Sequence, residues 1–244
     1  MEPYIFVLSA LVVLGASFIQ SVTGFGFGIF AMIFLPSLMQ YTEANVLSSM
    51  LSLFTSLAVV IVMWKKINFK NLIFPLIGCL VTTYLAVKFI GSQDNKTLIL
   101  LLGIVLFVLS IYFFFFSGKI RIRPTWYAGL IAGVISGVMG GMFSIGGPPV
   151  VIYFMQSEDS TDSYLATISA YFVLSGVINV VTKAAEGFIT QNVWIAFAIG
   201  FVAMALGALV GKLVRDKCNS SMIKKAVYGF MAISGIMNIV TSLI

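Results

Sequence analysis

The sequence predicts an all-α integral membrane protein built from two inverted repeats, each a glycine-broken re-entrant or hairpin segment followed by three transmembrane helices. Composition is the first observation behind this prediction. Of the 244 residues, 60% are hydrophobic and 9% are charged, whereas a soluble domain carries about a quarter charged residues. Because this number of charged residues is too small to cover a surface that faces water, most of the chain is predicted to face lipid.

Apolar runs are the second observation, because they recur along the whole chain and account for its main helices. A helix that crosses a bilayer needs roughly 20 predominantly apolar residues. The first run lacks the basic start and the short apolar stretch of a cleavable signal, so we expect the mature chain to begin at Met1. The runs lie at about 4–20, 44–63, 71–90, 97–117, 125–143, 163–182, 193–213 and 222–243.

Two glycine-broken segments are the third observation. The first is Ser21-Val-Thr-Gly-Phe-Gly-Phe-Gly28, and the second is Gly140-Gly-Met-Phe-Ser-Ile-Gly-Gly-Pro-Pro149. Gly24 and Ser144 take matching places in them, 120 residues apart. A broken backbone inside a bilayer must be satisfied by protein or by trapped water. A break that occurs once in each half is therefore a strong sequence indication of a transport site between two repeats.

The repeats are predicted to meet at a short basic linker. Residues 1–117 form the first transmembrane repeat, residues 118–124 the cytoplasmic linker and residues 125–244 the second repeat. The order of segments is the same on both sides, and residues 45–64 lie opposite residues 165–184. This pattern indicates a duplicated transmembrane unit.

Basic loops set the predicted topology, since Lys and Arg favour the cytoplasmic side. The three basic loops can share that side only if residues 125–156 enter the membrane and return, which inverts the second half and places both termini outside the cytoplasm. Residues 125–156 would span roughly 48 Å as helix, long for one crossing of a ~30 Å core and short for two. A hairpin with short legs reconciles both arguments. The basic loops are 65–70, 118–123 and 211–225.

Charge and residue usage exclude several classes of site. The net charge of +6 resides mainly in short loops, so no nucleic-acid partner is predicted. Cys79 and Cys218 are too few and too differently placed for a metal site or a disulfide framework, and the chain has no histidine. We therefore predict no cofactor and no metal.

The breaks themselves are predicted to bind an anion. Pro148 and Pro149 suit the first turn of a helix, so residues 149–156 should begin a half-helix inside the membrane, as residues 28–39 should in the other half. Helix N-termini offer free N–H donors and partial positive charge. Because no basic residue is near either break in the sequence, two converging helix ends would form an anion site without Arg or Lys.

Several side chains near the breaks or in the flanking helices are candidates for substrate binding, although glycines of membrane helices often serve close packing and most Ser and Thr residues bond their own backbone. The candidates are Gln20, Thr23, Gly24, Gly26, Gly28, Asn45, Ser144, Gly146, Gly147, Pro148, Pro149 and Asn179.

Charged residues close to the predicted helix ends have simpler interpretations. Lys88 and Lys183 are expected to snorkel to the interface. Glu43 and Asp162 each follow a broken segment and are expected to be helix-start charges. The alternative for both carboxylates is a proton-carrying role at a vestibule.

The two broken motifs resemble those of the sulfite exporter TauE/SafE family of membrane permeases. The resemblance lies in Gln20-Ser-Val-Thr-Gly-Phe-Gly-Phe-Gly28 and in Gly133-Val-Ile-Ser-Gly-Val-Met-Gly-Gly-Met-Phe-Ser-Ile-Gly-Gly-Pro-Pro149, and it covers essentially the whole chain in length, duplication and helix order. It implies transport of sulfite, organosulfonates or other small organic anions.

Together these observations predict a multi-pass permease of the cell membrane that carries a small anion, with the lipid bilayer as its other partner. An anion channel of the same architecture is the alternative. An enzyme is not expected, because without histidine or buried carboxylates general acid–base chemistry lacks its usual groups. Coupling to H⁺ or Na⁺ and assembly as a homodimer are left open.

Overall fold

The computed structural model describes residues 2–116, 119–120, 122–214 and 220–243. Over this part of the chain the protein consists of ten α-helices and two short 3₁₀ helices, Leu35–Ser37 and Trp64–Lys66, with no strand. The α-helices are α1 (Pro3–Thr23), α2 (Phe27–Phe34), α3 (Tyr41–Met63), α4 (Phe69–Gly91), α5 (Asn95–Phe115), α6 (Trp126–Phe143), α7 (Gly147–Ser157), α8 (Thr161–Ala185), α9 (Gln191–Val214) and α10 (Ser220–Leu243).

Among the described residues, eight helices are long and apolar enough to cross a membrane, and they are all of the α-helices except α2 and α7. Their outer faces carry many large apolar side chains, which suits contact with lipid. The prediction of an all-α integral membrane protein is therefore confirmed. Several sequence-based expectations lie outside the described residues: the start of the mature chain at Met1, the linker and basic-loop positions Gly118, Arg121, Arg215 and Lys217, and Cys218.

Helix order repeats in the two halves of the sequence. The short helices α2 and α7 begin 120 residues apart, and α3 and α8 begin at the same separation. Each half then continues with two further long helices. The local rules that start and stop these helices therefore recur in both halves, and the inversion of one half relative to the other stays a prediction.

The helices form two compact units, each of which draws segments from both sequence halves. In unit 1, α9 lies along α1 and α10 lies along α5. Small residues bring the first pair close: a Cβ added at Gly207 would lie 2.3 Å from the backbone oxygen of Leu14. Ser17 Oγ also donates across this pair to the Met204 carbonyl at 2.7 Å. Unit 1 comprises Met1–Leu51, Ser92–Ser117 and Phe188–Ile244.

Unit 2 is organised around a close pairing of α4 with α6. A Cβ added at Gly133 would lie 2.0 Å from the carbonyl oxygen of Pro75, and one at Gly137 would lie 2.1 Å from Thr82 Oγ1. These glycines recur every fourth residue on one face of α6, so their role is the close helix packing common in membranes. Unit 2 comprises Ser52–Gly91 and Gly118–Gly187.

Candidate functional site

The first break, in unit 1, depends on two glycines with left-handed backbone conformations. Gly24 ends α1 with φ +85°, and its N–H donates to the Gln20 carbonyl at 2.8 Å. Gly26 precedes α2 with φ +105°. A Cβ at either position would meet no atom closer than 3.8 Å, so the backbone conformation and not space requires glycine there.

Thr23 stabilises this first break through its own backbone. Its Oγ1 lies 2.8 Å from the Ile19 carbonyl oxygen and 2.7 Å from that of Phe25, and donates to them. Gly28 is buried within the first turn of α2, where backbone N–H groups have no partner inside the helix. The structure thus places Gln20, Thr23, Gly24, Gly26 and Gly28 together at one turn.

The second break, in unit 2, has the same arrangement of a left-handed helix end followed by a short helix. Ser144 ends α6 in a left-handed conformation with φ 56°, and its N–H donates to the Gly140 carbonyl at 3.0 Å. Gly146 is the N-cap of α7, and Gly147, Pro148 and Pro149 form the first turn of that helix. The predicted half-helix is therefore present and begins two residues earlier than expected. Ser144 takes the place that Gly24 has in the first half.

Both broken segments are hairpins. In unit 2, a Cβ at Gly146 would lie 2.9 Å from the Ser136 carbonyl oxygen, and near the other end of α7 the Gln156 side chain accepts from the Ile122 N–H at 2.6 Å. The chain thus goes out along α6 and returns along the shorter α7. In unit 1, a Cβ at Gly15 of α1 would lie 2.9 Å from the Phe30 ring on α2. Because the returning helix α7 is shorter than α6, residues 125–156 are longer than one membrane crossing needs and shorter than two crossings need.

Basic residues gather at one end of unit 2. Lys66 forms an ion pair with Asp162 at 2.5 Å, with both side chains exposed by about half. At the same end Asn71 donates to the Ser157 carbonyl at 2.8 Å, next to the hairpin end. The Ile122 N–H donates to Gln156 at the same hairpin end, so residues 65–70 and the described part of 118–123 lie near one another. The cytoplasmic side of both loops stays a prediction.

The two carboxylates singled out in the sequence both lie in first turns of helices, as expected. Asp162 is in the first turn of α8 and is exposed. Glu43 is in the first turn of α3 but is buried, and its Oε1 accepts from Thr190 Oγ1 at 2.6 Å. Glu43 is thus the better shielded of the two, and the expectation that the chain has no buried carboxylate was wrong at this position.

Lys183 corrects two of the sequence-based expectations. It is 0% exposed, and its Nζ donates to Ser144 Oγ at 3.3 Å. Expecting this lysine to snorkel outward was wrong, because side chains on a helix tilt toward its N-terminus and Lys183 lies in the last turn of α8. Its side chain therefore reaches back to the end of α6. Lys88, in contrast, is exposed, with Nζ 5.1 Å from the centroid of the Tyr84 ring.

The expectation that neither break has an Arg or Lys beside it was therefore wrong. Lys183 contradicts it at the second break, and a second lysine contradicts it at the first break. Lys224 of α10 is half-buried, and its Nζ lies 5.4 Å from the centroid of the Phe25 ring, between the two left-handed glycines. Such a contact is a favourable cation–π interaction. Each break therefore has a lysine beside it, brought there by the fold from a distant part of the sequence.

Asn179 completes the polar group at the second break. It lies one turn before Lys183 on α8, is 7% exposed, and its Oδ1 has no hydrogen-bond partner. Its Nδ2 would lie 3.6 Å from a Cβ added at Gly140. Of the two asparagines among the predicted binding residues, Asn179 is therefore at a break. Asn45 is instead fully buried within α3 of unit 1, where its backbone carbonyl accepts from Ser49 Oγ at 3.0 Å.

A buried chain of hydroxyls holds the second break in shape. Tyr171 OH donates to Ser136 Oγ at 2.9 Å, and Ser136 Oγ donates to the Gly146 carbonyl at 2.5 Å. Tyr171 was not predicted, since a tyrosine within an apolar helix carries no signal that distinguishes it from other core residues.

The groups at the second break are suited to an anion. They are an ammonium, a hydroxyl, an amide and the N-terminus of α7, which carries partial positive charge. Among the residues that the structure describes, no three His, Cys, Asp or Glu side chains come together in a way that could hold a metal ion.

Comparisons with known proteins agree in pointing to one family. The family model for Sulfite exporter TauE/SafE matches residues 9–238. The chain is similar to the probable sulfite/organosulfonate exporter TauE of Cupriavidus necator strain H16, with 23% identity over 229 residues, covering 92% of this chain and 89% of that protein. No solved structure matches the chain.

Proposed function

From the premise that the chain belongs to the sulfite exporter TauE/SafE family, we propose that it is a secondary transporter of the cell membrane for sulfite, an organosulfonate or a related small organic anion. A relative similar over most of both chains is named as a probable exporter of sulfite and organosulfonates. The eight membrane-crossing helices provide the multi-pass architecture that such a transporter needs.

The pair of breaks is the observation that carries this proposal. Gly24 and Ser144 both end a full-length helix in a left-handed conformation, and Gly26 and Gly146 both cap a short helix that turns back. Irregular backbone at membrane depth is tolerated where it is buried in protein or lines a cavity. We propose that the helix N-terminus at a break binds the anion near the middle of the membrane.

Lysines beside the breaks favour an anion over a cation as the substrate. Lys183 is buried at the second break and Lys224 is half-buried at the first. An ionised lysine shielded from water acts strongly on nearby charge, because the surrounding dielectric is low. It would repel Na⁺ from its own break, so a coupled Na⁺ would have to bind elsewhere.

An anion channel of the same architecture is the competing function, and transport measurements separate the two. Purified protein is reconstituted into liposomes, and uptake of radiolabelled sulfite is followed under an imposed pH or Na⁺ gradient. A coupled carrier concentrates the label above its equilibrium level and saturates with substrate. A channel only lets the label approach electrochemical equilibrium, and this result would favour the alternative.

A further inference from the structure

We propose that Lys183, Ser144 and Asn179 form an oxyanion-binding site in unit 2 that selects the three-oxygen –SO₃ group of sulfite and of sulfonates. The inference rests on the proposed function and deepens it, since it names both the residues and the substrate chemistry. In this inference, side chains of the second break recognise the charge of the anion together with the N-terminus of α7.

The burial of Lys183 is the first argument. An ammonium taken out of water is destabilised unless opposite charge compensates it, and an ionisable residue inside a membrane helix commonly marks a substrate pathway. A bound anion would supply negative charge directly at the buried ammonium.

Asn179 supplies an independent second observation. Its side chain is more than nine-tenths buried, its Oδ1 is unpartnered, and its amide lies against Gly140 at the break. Residues four apart on a helix share a face, so Asn179 and Lys183 are neighbours. Rotation of the amide exchanges its oxygen and nitrogen, so it can present an N–H donor to an anion. A buried polar group without a full set of partners in the protein calls for an explanation, and a bound anion supplies one.

Geometry at Ser144 links these groups to the break. Its hydroxyl accepts from Lys183 Nζ, and a hydroxyl can donate to an anion while it accepts from an ammonium. An ammonium, a hydroxyl and an amide thus offer three separate donors at the second break, beside the N-terminus of α7. A pyramidal –SO₃ group has three oxygens to receive them, whereas a carboxylate has two.

The polar cluster is confined to the second half of the chain. At the offset of 120 residues, the positions of Lys183, Asn179 and Ser144 correspond to Met63, Val59 and Gly24. If these polar side chains served only to build the repeat, both copies would be expected to carry them. Their restriction to one copy favours a role in recognition.

Thermal-shift and direct binding measurements on the purified full-length protein test the inference. Methanesulfonate and acetate serve as matched ligands, since they differ only in the acidic group, and sulfite is measured alongside. Wild-type protein should be stabilised by sulfite and methanesulfonate and much less by acetate, because a ligand that binds only the folded state raises its melting temperature. Equal stabilisation by acetate and methanesulfonate would overturn the three-oxygen selectivity.

Lys183→Met is the decisive variant. Replacing a buried charge by an apolar group of similar length is often neutral or stabilising, so Tm without ligand should be unchanged or higher. Affinity for sulfite should fall by at least about tenfold, the order expected for loss of a charge-assisted hydrogen bond. Lys88→Met, at an exposed lysine, is the matched control and should bind as wild type. Wild-type affinity in Lys183→Met would overturn the inference.

Asn179→Leu provides a second measurement if Lys183→Met is not folded. It should also weaken sulfite binding, and unchanged affinity in this variant would likewise contradict the site. If the wild-type protein transports sulfite and both variants bind sulfite as tightly as the wild type, this inference is refuted and the proposed function stands. Wild-type protein that neither binds nor transports any of the sulfur anions would refute the proposed function as well.

Discussion

The Nζ of Lys183 lies 3.3 Å from Ser144 Oγ, although the two residues are 39 positions apart and belong to different helices. Ser144 is the left-handed residue that ends α6, and Lys183 is in the last turn of α8. The contact places a buried basic group at the point where the backbone of the second half is broken. In the proposed site this group would favour a negatively charged ligand.

Leucine at Gly26 or Gly146 should abolish anion flux while membrane insertion is retained, for two different reasons. At Gly26 the positive φ disfavours any L-residue by roughly 1–2 kcal/mol. At Gly146 the conformation is ordinary, but a Cβ would lie 2.9 Å from the Ser136 carbonyl oxygen. Flux into proteoliposomes and the yield of membrane-inserted protein are the measurements.

Gly229→Leu is the matched control for those variants, because a Cβ at Gly229 meets nothing within 4 Å. It lies in the middle of α10 and should transport as wild type. Normal flux in either break variant would mean that the transport site is elsewhere.

Ser136→Ala should destabilise the second break. The substitution removes the link between the Tyr171 hydroxyl and the Gly146 carbonyl, and a buried polar group left without a partner costs about 1–3 kcal/mol. Tyr171→Phe removes the outer donor alone and should cost less. Unfolding in detergent compares both variants with their double mutant, whose effect should be smaller than the sum. An additive result would show that the hydroxyls do not act as a chain.

Neither Glu43→Gln nor Asp162→Asn should abolish pH-driven flux. Glu43 is held by Thr190 at the start of α3, and Asp162 is held by Lys66 at an exposed helix start, which fits structural roles for both. We expect coupling without an essential carboxylate, by Na⁺ at backbone carbonyls that lie away from the lysines or by a proton that the weak-acid substrate itself carries. Flux under imposed pH and Na⁺ gradients is the measurement. Loss of pH-driven flux with binding retained would make that residue the proton carrier.

Both termini should lie outside the cytoplasm. The prediction follows from the positive-inside rule, and the hairpin formed by α6 and α7 is the return that this topology requires. Reporter fusions at residues 1 and 244 measure it. A cytoplasmic C-terminus would contradict the inverted arrangement of the two halves.

Local chemistry explains what the sequence could predict. The two breaks, their 120-residue offset and the presence of a half-helix after Pro148 follow from glycines and prolines whose backbone preferences act within a few residues. The left-handed conformation of Ser144 was not among the predictions, and α7 begins two residues earlier than expected. Asn179 is also a candidate from the sequence, because an amide in an apolar helix is conspicuous, and the structure places it at the second break. The sequence could not show that Lys183 meets Ser144, since that proximity comes from the packing of α8 against the hairpin. A lysine near a helix end is expected to point to water, whereas the tilt of the Cβ of Lys183 directs its side chain inward.

Counterflow of sulfite is the most direct test of the central claim that the chain is a secondary transporter for a small sulfur anion. Proteoliposomes are loaded with unlabelled sulfite and diluted into a trace of labelled sulfite, with no ion gradient imposed. A carrier should accumulate label transiently above its equilibrium level, and Lys183→Met should lose this accumulation. Uptake that merely rises to equilibrium, or that does not exceed uptake by protein-free liposomes, would contradict the account.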